Sequence, residues 1–435
     1  MASWLDRMTS PLREAGAETT LDEVVREAAE GDPRAHELAT TFELVLGVGR
    51  ALLGFGLPAQ RLEEALERLA TALGFALDCY STPTALIVSI GDGARWLTRV
   101  VRAEPGETDL ERLSAIHGVV GRVERREVSA ADAARRVARI VARKPRYGAP
   151  TILFAYALAS AATAALLGGT LPDLGVAAGL GLLVGALRFG ADRVAHAGRI
   201  APAVAALLAS FLAKAAGQWL PVQDSVLLLS AIIVLLPGFT LTVATMELAT
   251  ANVVAGTSRL VGGFATLVQL GFGAALGHRL GDVIPTVEHV GAGLAAPAWL
   301  PFAAYGMAAL AFALLLRAAP RDLPAIFVSS VAAVLGARLG REWLGAELGA
   351  LVGAILVGLV SHLHARRFDR PVLLLLTPGI LLLVPGSVGF LSVSSMLEAD
   401  VEGAMQLAFR MVLIATSLAA GVLVATVAIP PRRAL

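Results

Sequence analysis

Apolar and polar positions divide the chain into two parts. From Thr151 onward, apolar stretches recur that are each about 20 residues long, the length that an α-helix needs to cross a bilayer. Short polar segments separate them. The pattern predicts ten membrane spans, near residues 150–169, 173–190, 201–220, 225–246, 258–278, 299–316, 323–340, 346–364, 371–392 and 404–429.

Residues 41–148 follow the periodicities of a soluble domain. Helical spacing is interrupted near Gly54 to Pro58, and the stretches FALDCYSTPTALIVSIGD and ARWLTRVVRAEP then alternate as β-strands do. Two more helical stretches follow, and Ser129 is the predicted N-cap of the second. The sequence predicts a small α+β domain over residues 41–148, preceded by a mobile segment over residues 1–40.

Composition supports a membrane protein. Of 435 residues, 56% are hydrophobic, and the mean hydropathy is +0.71. A soluble protein of this size could not bury so much apolar surface. The net charge of +1 gives no reason to expect a nucleic-acid partner, and the single cysteine, Cys79, excludes an internal disulfide.

Basic residues orient the spans. Six lie between Arg135 and Arg146, just before the first span, which predicts a cytoplasmic α+β domain. The polar, acidic start of the chain lacks the features of a signal peptide, so we expect both termini in the cytoplasm. The other predicted inner segments carry Arg188, Arg193, Arg199, Arg259, Arg317, Arg321, Arg366, Arg367, Arg370, Arg432 and Arg433.

A Pro-Gly pair interrupts two of the spans at matching positions. Pro237-Gly238 and Pro385-Gly386 lie 148 positions apart (385 minus 237), and this offset carries the first five spans approximately onto the last five. Because five is odd, the second copy must be inverted. We therefore predict a mainly α-helical polytopic protein with two inverted five-helix repeats, residues 149–282 and 296–431. Such repeats are typical of secondary transporters, with the substrate site at broken helices near mid-membrane. Kinks that serve only helix packing are the alternative.

Polar residues near the two breaks are the candidate ligands. Hydroxyl groups of Thr240, Thr242, Ser387 and Ser392 could bind a hydroxylated substrate, or could instead satisfy carbonyl groups that the breaks leave unpaired. Glu247 is a candidate for proton coupling, because a carboxylate in a membrane is costly; the alternative is an interfacial residue in water. Arg410 could hold a substrate carboxylate or extend to the membrane surface. We predict no catalytic residue, cofactor or metal ligand.

Three stretches carry a resemblance to a known family: GFGLPAQRLEEALERLATALGFALDCYSTPTALIVSI, LLPGFTLTVATMELATANVVAGTSRL and FDRPVLLLLTPGILLLVPGSVGFLSVSSML. In this order they resemble the threonine/serine exporter family, over nearly the whole chain after about residue 40. The resemblance implies a cytoplasmic domain joined to a ten-helix exporter in the bacterial inner membrane. It also implies that the proton gradient drives release of threonine or serine from the cell.

The chain departs from the family pattern near the first break. Family members often have Arg-Asp-Leu where this chain has Met246-Glu247-Leu248, and Ser-Gly where it has Ala255-Gly256. These departures leave the amino acid specificity open. Some relatives divide the two halves between subunits and are linked to succinate export.

Two other functions remain open at this point. One is export of a dicarboxylate such as succinate. The other is a membrane-tethered enzyme in which Cys79 and His117 of the α+β domain form the active site. The expected partners are a small-molecule substrate, protons and the lipid bilayer, and a homo-oligomer is also compatible with the sequence.

Overall fold

The computed structural model describes residues 31–102, 106–191, 193–194, 196–284 and 297–430. An α+β domain, up to residue 148, precedes a bundle of apolar helices. The domain contains helices α1 (Pro33–Gly54) and α2 (Ala59–Ala72), strands β1 (Ala76–Thr82), β2 (Ala85–Gly91) and β3 (Trp96–Arg102), and helices α3 (Leu110–Glu124) and α4 (Ala130–Ala142). The strands form an antiparallel sheet in the order β1-β2-β3.

Helix α1 begins eight residues before the predicted domain boundary at residue 41. The Asp32 carboxylate accepts hydrogen bonds from the backbone N–H groups of Arg34 and Ala35, and Pro33 is at the first helical position. Both features favour a helix start. Residues 33–40 of the predicted mobile segment are therefore the first part of α1, and residues 1–30 of that segment lie outside the described residues.

The first predicted β stretch folds as a hairpin. Strands β1 and β2 pair from Ala76 opposite Gly91 to Thr82 opposite Ala85, so that Pro83 and Thr84 form the turn. The domain otherwise follows the prediction: α1 ends at Gly54, α2 begins after Pro58, and the Ser129 hydroxyl accepts the Asp132 N–H at the start of α4.

Within the described part of the chain, twelve helices form the bundle. They are α5 (Ala149–Leu166), α6 (Leu171–Ala191), α7 (Ala201–Ala216), α8 (Asp224–Ile232), α9 (Gly238–Ala249), α10 (Val253–Gly281), α11 (Leu300–Leu315), α12 (Leu323–Leu344), α13 (Ala346–Phe368), α14 (Leu373–Leu381), α15 (Gly386–Leu397) and α16 (Val401–Ala428).

The structure confirms a mainly helical protein with several helices that are candidate membrane spans. Within the described residues, seven helical segments are long and apolar enough to cross a membrane, and α8 with α9 forms an eighth that bends by 53°. The remaining apolar helices, α7 and α11, have 16 residues each, which gives a length of about 24 Å against a hydrocarbon core of about 30 Å. The count of ten spans therefore stays a prediction.

Two helix pairs repeat the same packing at the 148-residue offset. A Cβ on Gly273 of α10 would overlap the carbonyl oxygen of Ala203 on α7. A Cβ on Gly421 of α16 would lie 2.7 Å from the carbonyl oxygen of Leu351 on α13. Gly421 and Leu351 lie 148 residues after Gly273 and Ala203, respectively. Helices α7 and α10 therefore pack as α13 and α16 do, through glycines that allow close approach.

The α+β domain contacts one end of the bundle, which we call the inner end. The Leu110 N–H donates to the carbonyl oxygen of Leu316 at 2.9 Å, and the Tyr147 hydroxyl donates to that of Ala318 at 2.7 Å. Apolar residues of the domain and of the inner helix ends share one buried cluster. The inner end is thus the end for which the arginine pattern predicts a cytoplasmic location.

Three tryptophans mark the opposite, outer end. Trp219 follows α7, Trp299 precedes α11 and Trp343 is in the last turn of α12, and their exposed fractions are 74%, 63% and 83%. Tryptophan is enriched where a protein crosses the membrane–water interface. The three rings are placed as an outer aromatic belt would be.

Candidate functional site

The two Pro-Gly breaks have nearly the same backbone geometry. Pro237 has φ −79° and ψ 32°, and Pro385 has φ −84° and ψ 27°. Each is followed by a helix of 12 residues, α9 or α15, that begins at the glycine. Proline supplies no N–H to the preceding turn, which is why each apolar segment divides there.

The breaks meet in the interior of the bundle. A Cβ on Gly238 would lie 2.9 Å from the Gly386 backbone nitrogen and 3.0 Å from the Gly386 Cα. Pro237 and Pro385 are buried with the glycines. The amino-terminal ends of α9 and α15 therefore touch, and among the described residues no side chain caps either of them. Two uncapped helix amino termini give this point a partial positive charge.

The predicted hydroxyl residues divide into two groups. Thr242 donates to the Gly238 carbonyl oxygen at 3.0 Å, and Ser392 donates to that of Ala404 at 2.8 Å. These two hydroxyls are hydrogen-bonded to backbone carbonyl groups, which was the predicted alternative to substrate binding. Thr240 and Ser387, half-buried in the first turns of α9 and α15, have no side-chain hydrogen bond within the described part of the chain. They remain the hydroxyls available to a substrate.

Glu247 lies at the joint between the bundle and the α+β domain. Its carboxylate is 1% exposed, and Oε1 accepts the backbone N–H of Ala59 at 3.0 Å. Ala59 is the first residue of α2, which no side chain of its own segment caps. A carboxylate from the bundle therefore caps a helix of the domain, where the helix dipole favours negative charge.

Arg259 completes this joint. Its Nε donates to Oε1 of Glu247 at 3.1 Å and lies 3.0 Å from Oε2. Its Nη2 donates to the Leu57 carbonyl oxygen at 3.4 Å, in the loop that precedes α2. The pair thus fixes the α1–α2 loop on the inner ends of α9 and α10, and one change at Glu247 affects both contacts.

Glu63, one turn further along α2, is a second carboxylate near this joint. Burial raises the pKa of Glu63, the backbone N–H of Ser81 opposes that shift, and the negative charge of Glu247 adds to it. A carboxylate with a raised pKa therefore lies beside the joint on the inner side.

The predicted substrate residue Arg410 is paired within the protein. Its Nε donates to Oε1 of Glu347 at 2.8 Å, which joins the outer ends of α16 and α13. The side chain is 49% exposed. The structure therefore does not bring Arg410 to the Pro-Gly breaks, and its role in substrate binding stays a prediction.

The α+β domain does not join Cys79 to His117 in a reactive pair. The Cys79 thiol on β1 lies near Glu63 and Glu67, and burial with those two carboxylates raises its pKa to about 12. His117 is buried on α3, and its Nε2 lies 3.8 Å from Oδ1 of Asp369, between α13 and α14. Glu63 and Glu67 are near Cys79, whereas Asp369 is near His117, which weakens the case for a Cys–His active site.

Because only the thiolate is a strong nucleophile, we expect Cys79 to be unreactive. At pH 8, a pKa of about 12 leaves about one thiol in ten thousand ionised. Alkylation by N-ethylmaleimide should be at least about 100-fold slower in the folded protein than in SDS. Mass spectrometry of timed samples measures both rates, and equal rates would show that the thiol is accessible and ionisable.

Sequence reasoning missed two members of the inner joint. Arg259 was interpreted only as an inner-side charge, and the Ala59 N–H gave no signal. Glu247 and Arg259 flank the turn between α9 and α10, so their opposite charges could have suggested a pair. The backbone donor could not have been found, because it lies 188 positions away in the chain.

Comparisons with known proteins support a membrane exporter. Two family models described as threonine/serine exporters match residues 43–281 and residues 302–428. No solved structure matches the chain.

The curated relatives include yeast proteins named pheromone-regulated membrane protein 10. The protein of Eremothecium gossypii is 27% identical over 81% of this chain and 49% of its own length. That of Kluyveromyces lactis is 24% identical over 93% of this chain and 45% of its own length. The chain thus spans about half the length of these relatives. Because one exporter model alone matches more than half of the chain, the chain belongs to the threonine/serine exporter family.

Proposed function

We propose that the protein is a secondary exporter of threonine and serine in the bacterial inner membrane, driven by the proton gradient. Family membership supports the exporter. The contact between Gly238 and Gly386 carries the proposal, because it joins two broken helices in the interior of the bundle.

In this proposal, the substrate carboxylate binds beside the glycine pair. The amino-terminal ends of α9 and α15 supply unpaired backbone N–H groups and partial positive charge there. Thr240 and Ser387 supply hydroxyls for the side chain of threonine or serine. Such half-helix ends are a common carboxylate site in transporters with inverted repeats.

Alternating access follows if the two repeats rock about this contact. The matching α7–α10 and α13–α16 packing supports two equivalent halves. From the breaks, α9 runs to the α+β domain at the inner end and α15 runs to the outer end, which supports their inversion. When one half tilts, the path beside the breaks closes at one end and opens at the other.

Glu247 couples this motion to protons in the proposal. When ionised, its carboxylate holds both Arg259 and the amino terminus of α2, which keeps the α+β domain on the inner end. A proton on Glu247 removes the charge that attracts both groups. The inner end then opens, and loss of the proton to the cytoplasm accompanies binding of the substrate.

Counterflow in proteoliposomes tests this function. Vesicles containing the purified protein are preloaded with unlabelled threonine, serine or succinate, and uptake of labelled L-threonine is then measured. We expect uptake with internal threonine or serine and none above protein-free vesicles with succinate. A second set of vesicles, with an imposed pH gradient and no internal substrate, tests proton driving.

The same vesicles separate the competing functions. Exchange of labelled succinate alone would replace the amino acid with a dicarboxylate. If none of the three compounds is exchanged, the proposed function is rejected.

A further inference from the structure

A second polar region lies at the outer end of the bundle, away from the Pro-Gly breaks. A cavity of about 330 Å³ opens there between α7, α8, α10 and α15. Its volume is within the range of about 300–1,000 Å³ that is common for small-molecule sites. Leu228 and Ala274 supply apolar surface, and the polar lining consists of Ser210, His278, Arg279, Asp282, Ser394 and Glu398.

The lining carries groups of both charges. Asp282 is paired with Lys214 and lies 3.9 Å from Nη1 of Arg279. In the part of the chain that the structure describes, the Glu398 carboxylate has no salt bridge. The Glu398 carboxylate, just after α15, and the Arg279 guanidinium, on the adjacent helix α10, carry the charges that pair with the ammonium and carboxylate groups of a zwitterion.

The equivalent region at the inner end is closed. The 148-residue offset carries Leu228 and Ala274 to Leu376 and Val422, which are buried in one apolar cluster. It carries Lys214 and His278 to His362 and Thr426, whose side chains are hydrogen-bonded at 3.2 Å.

Met246, the counterpart of Ser394, packs on the same inner cluster. The adjacent residue, Glu247, holds the α+β domain over this end. The chain therefore has an open cavity at one end and a packed, covered equivalent at the other. An outward-open transporter has this arrangement.

We propose that the outer cavity is a binding site for a free zwitterionic amino acid, with Glu398 facing the ammonium group and Arg279 the carboxylate. This inference rests on the proposed function, since it places the amino acid in the outer part of the same export path. Ser210 and Ser394 lie where the side-chain hydroxyl of threonine or serine would be recognised.

Protection from alkylation tests the site. Ser394→Cys is expressed in cells and labelled from outside with a membrane-impermeant maleimide, and Val401→Cys, exposed on α16 outside the cavity lining, is the matched control. We expect both cysteines to be labelled. L-threonine should slow the labelling of Ser394→Cys at least about fivefold and leave the labelling rate of Val401→Cys unchanged. Succinate should not slow the labelling of either variant.

Removal of one charge tests the assignment of Glu398. Glu398→Gln in the Ser394→Cys protein should raise the half-protecting threonine concentration about tenfold, because the ammonium group loses its charged partner. Glu402→Gln, at the start of α16 and outside the lining, should leave that concentration unchanged.

The outcomes separate the site from the function. Threonine counterflow by the wild type without protection of Ser394→Cys would overturn the outer site and leave the exporter intact. No labelling of Ser394→Cys would also overturn it, because the cavity would then not face outward. Absence of all counterflow would reject the proposed function, and the outer amino acid site with it.

Discussion

Gly238→Ala is expected to reduce threonine counterflow at least about tenfold. A Cβ at this position would lie 2.7 Å from Cγ2 of Val384 and 2.9 Å from the Gly386 nitrogen, so the two breaks would have to separate. Overpacking of a close contact costs about 1–3 kcal/mol of stability. We expect this cost to slow transport, because the contact lies at the point about which the two repeats are proposed to move. Initial counterflow rates, divided by the amount of inserted protein, measure the effect.

A matched glycine separates this contact from a general effect of substitution in an apolar helix. Gly262→Ala on α10 introduces the same methyl group where no heavy atom lies within 4 Å of the added Cβ. It should retain the wild-type rate. Gly386→Ala should share the defect, since its Cβ would lie 3.0 Å from the Leu236 Cβ. Size-exclusion profiles of all three variants check that they fold. Equal rates for Gly238→Ala and Gly262→Ala would show that the glycine contact is not needed for transport.

The breaks could be predicted because their cause is local. Proline removes a helical hydrogen bond wherever it stands, and the following glycine weakens the helix further. The sequence alone therefore indicated that the helices break at Pro237-Gly238 and Pro385-Gly386. Their mutual contact could be expected only if the repeat was assumed, and in the folded protein the two glycines lie against each other.

Partners distant in the chain could not be predicted. The sequence predicted that Arg410 binds the substrate. In the structure, Arg410 instead donates a hydrogen bond to Glu347, which lies 63 positions earlier in the chain. The β1–β2 hairpin was missed for a different reason. Its two-residue turn, Pro83-Thr84, interrupts the strand alternation too briefly to be distinguished from one long strand.

The α+β domain shows how tertiary context changes the chemistry of a residue. Cys79 and His117 have residue types that often perform catalysis, and nothing in their local sequence excludes it. Burial beside Glu63 and Glu67 raises the pKa of Cys79, and Asp369 of the bundle approaches His117. Both neighbourhoods depend on how helices pack, so the enzyme alternative could be weakened only by the structure.

Glu247→Gln is expected to abolish accumulation driven by a pH gradient. One-for-one exchange with protons gives the wild type about a tenfold threonine gradient per pH unit, and the variant should approach a ratio of about one. The glutamine can still accept the Ala59 N–H, but it has no charge for a proton to neutralise. Accumulation of labelled threonine under an imposed pH gradient measures this coupling. Glu247→Gln can keep the wild-type counterflow rate without a gradient, because counterflow does not require proton coupling.

The charge partner provides the sharpest control for Glu247. Glu247→Gln leaves Arg259, only 14% exposed, without its carboxylate, and removal of one member of a buried pair costs about 3–5 kcal/mol. Glu247→Gln with Arg259→Gln should therefore restore much of the thermal stability that the single variant loses, while accumulation stays absent. Glu43→Gln, exposed on α1, should behave as the wild type in both measurements. If Glu247→Gln accumulates threonine as the wild type does, the proton must be carried elsewhere, and the buried pair would serve only to dock the α+β domain.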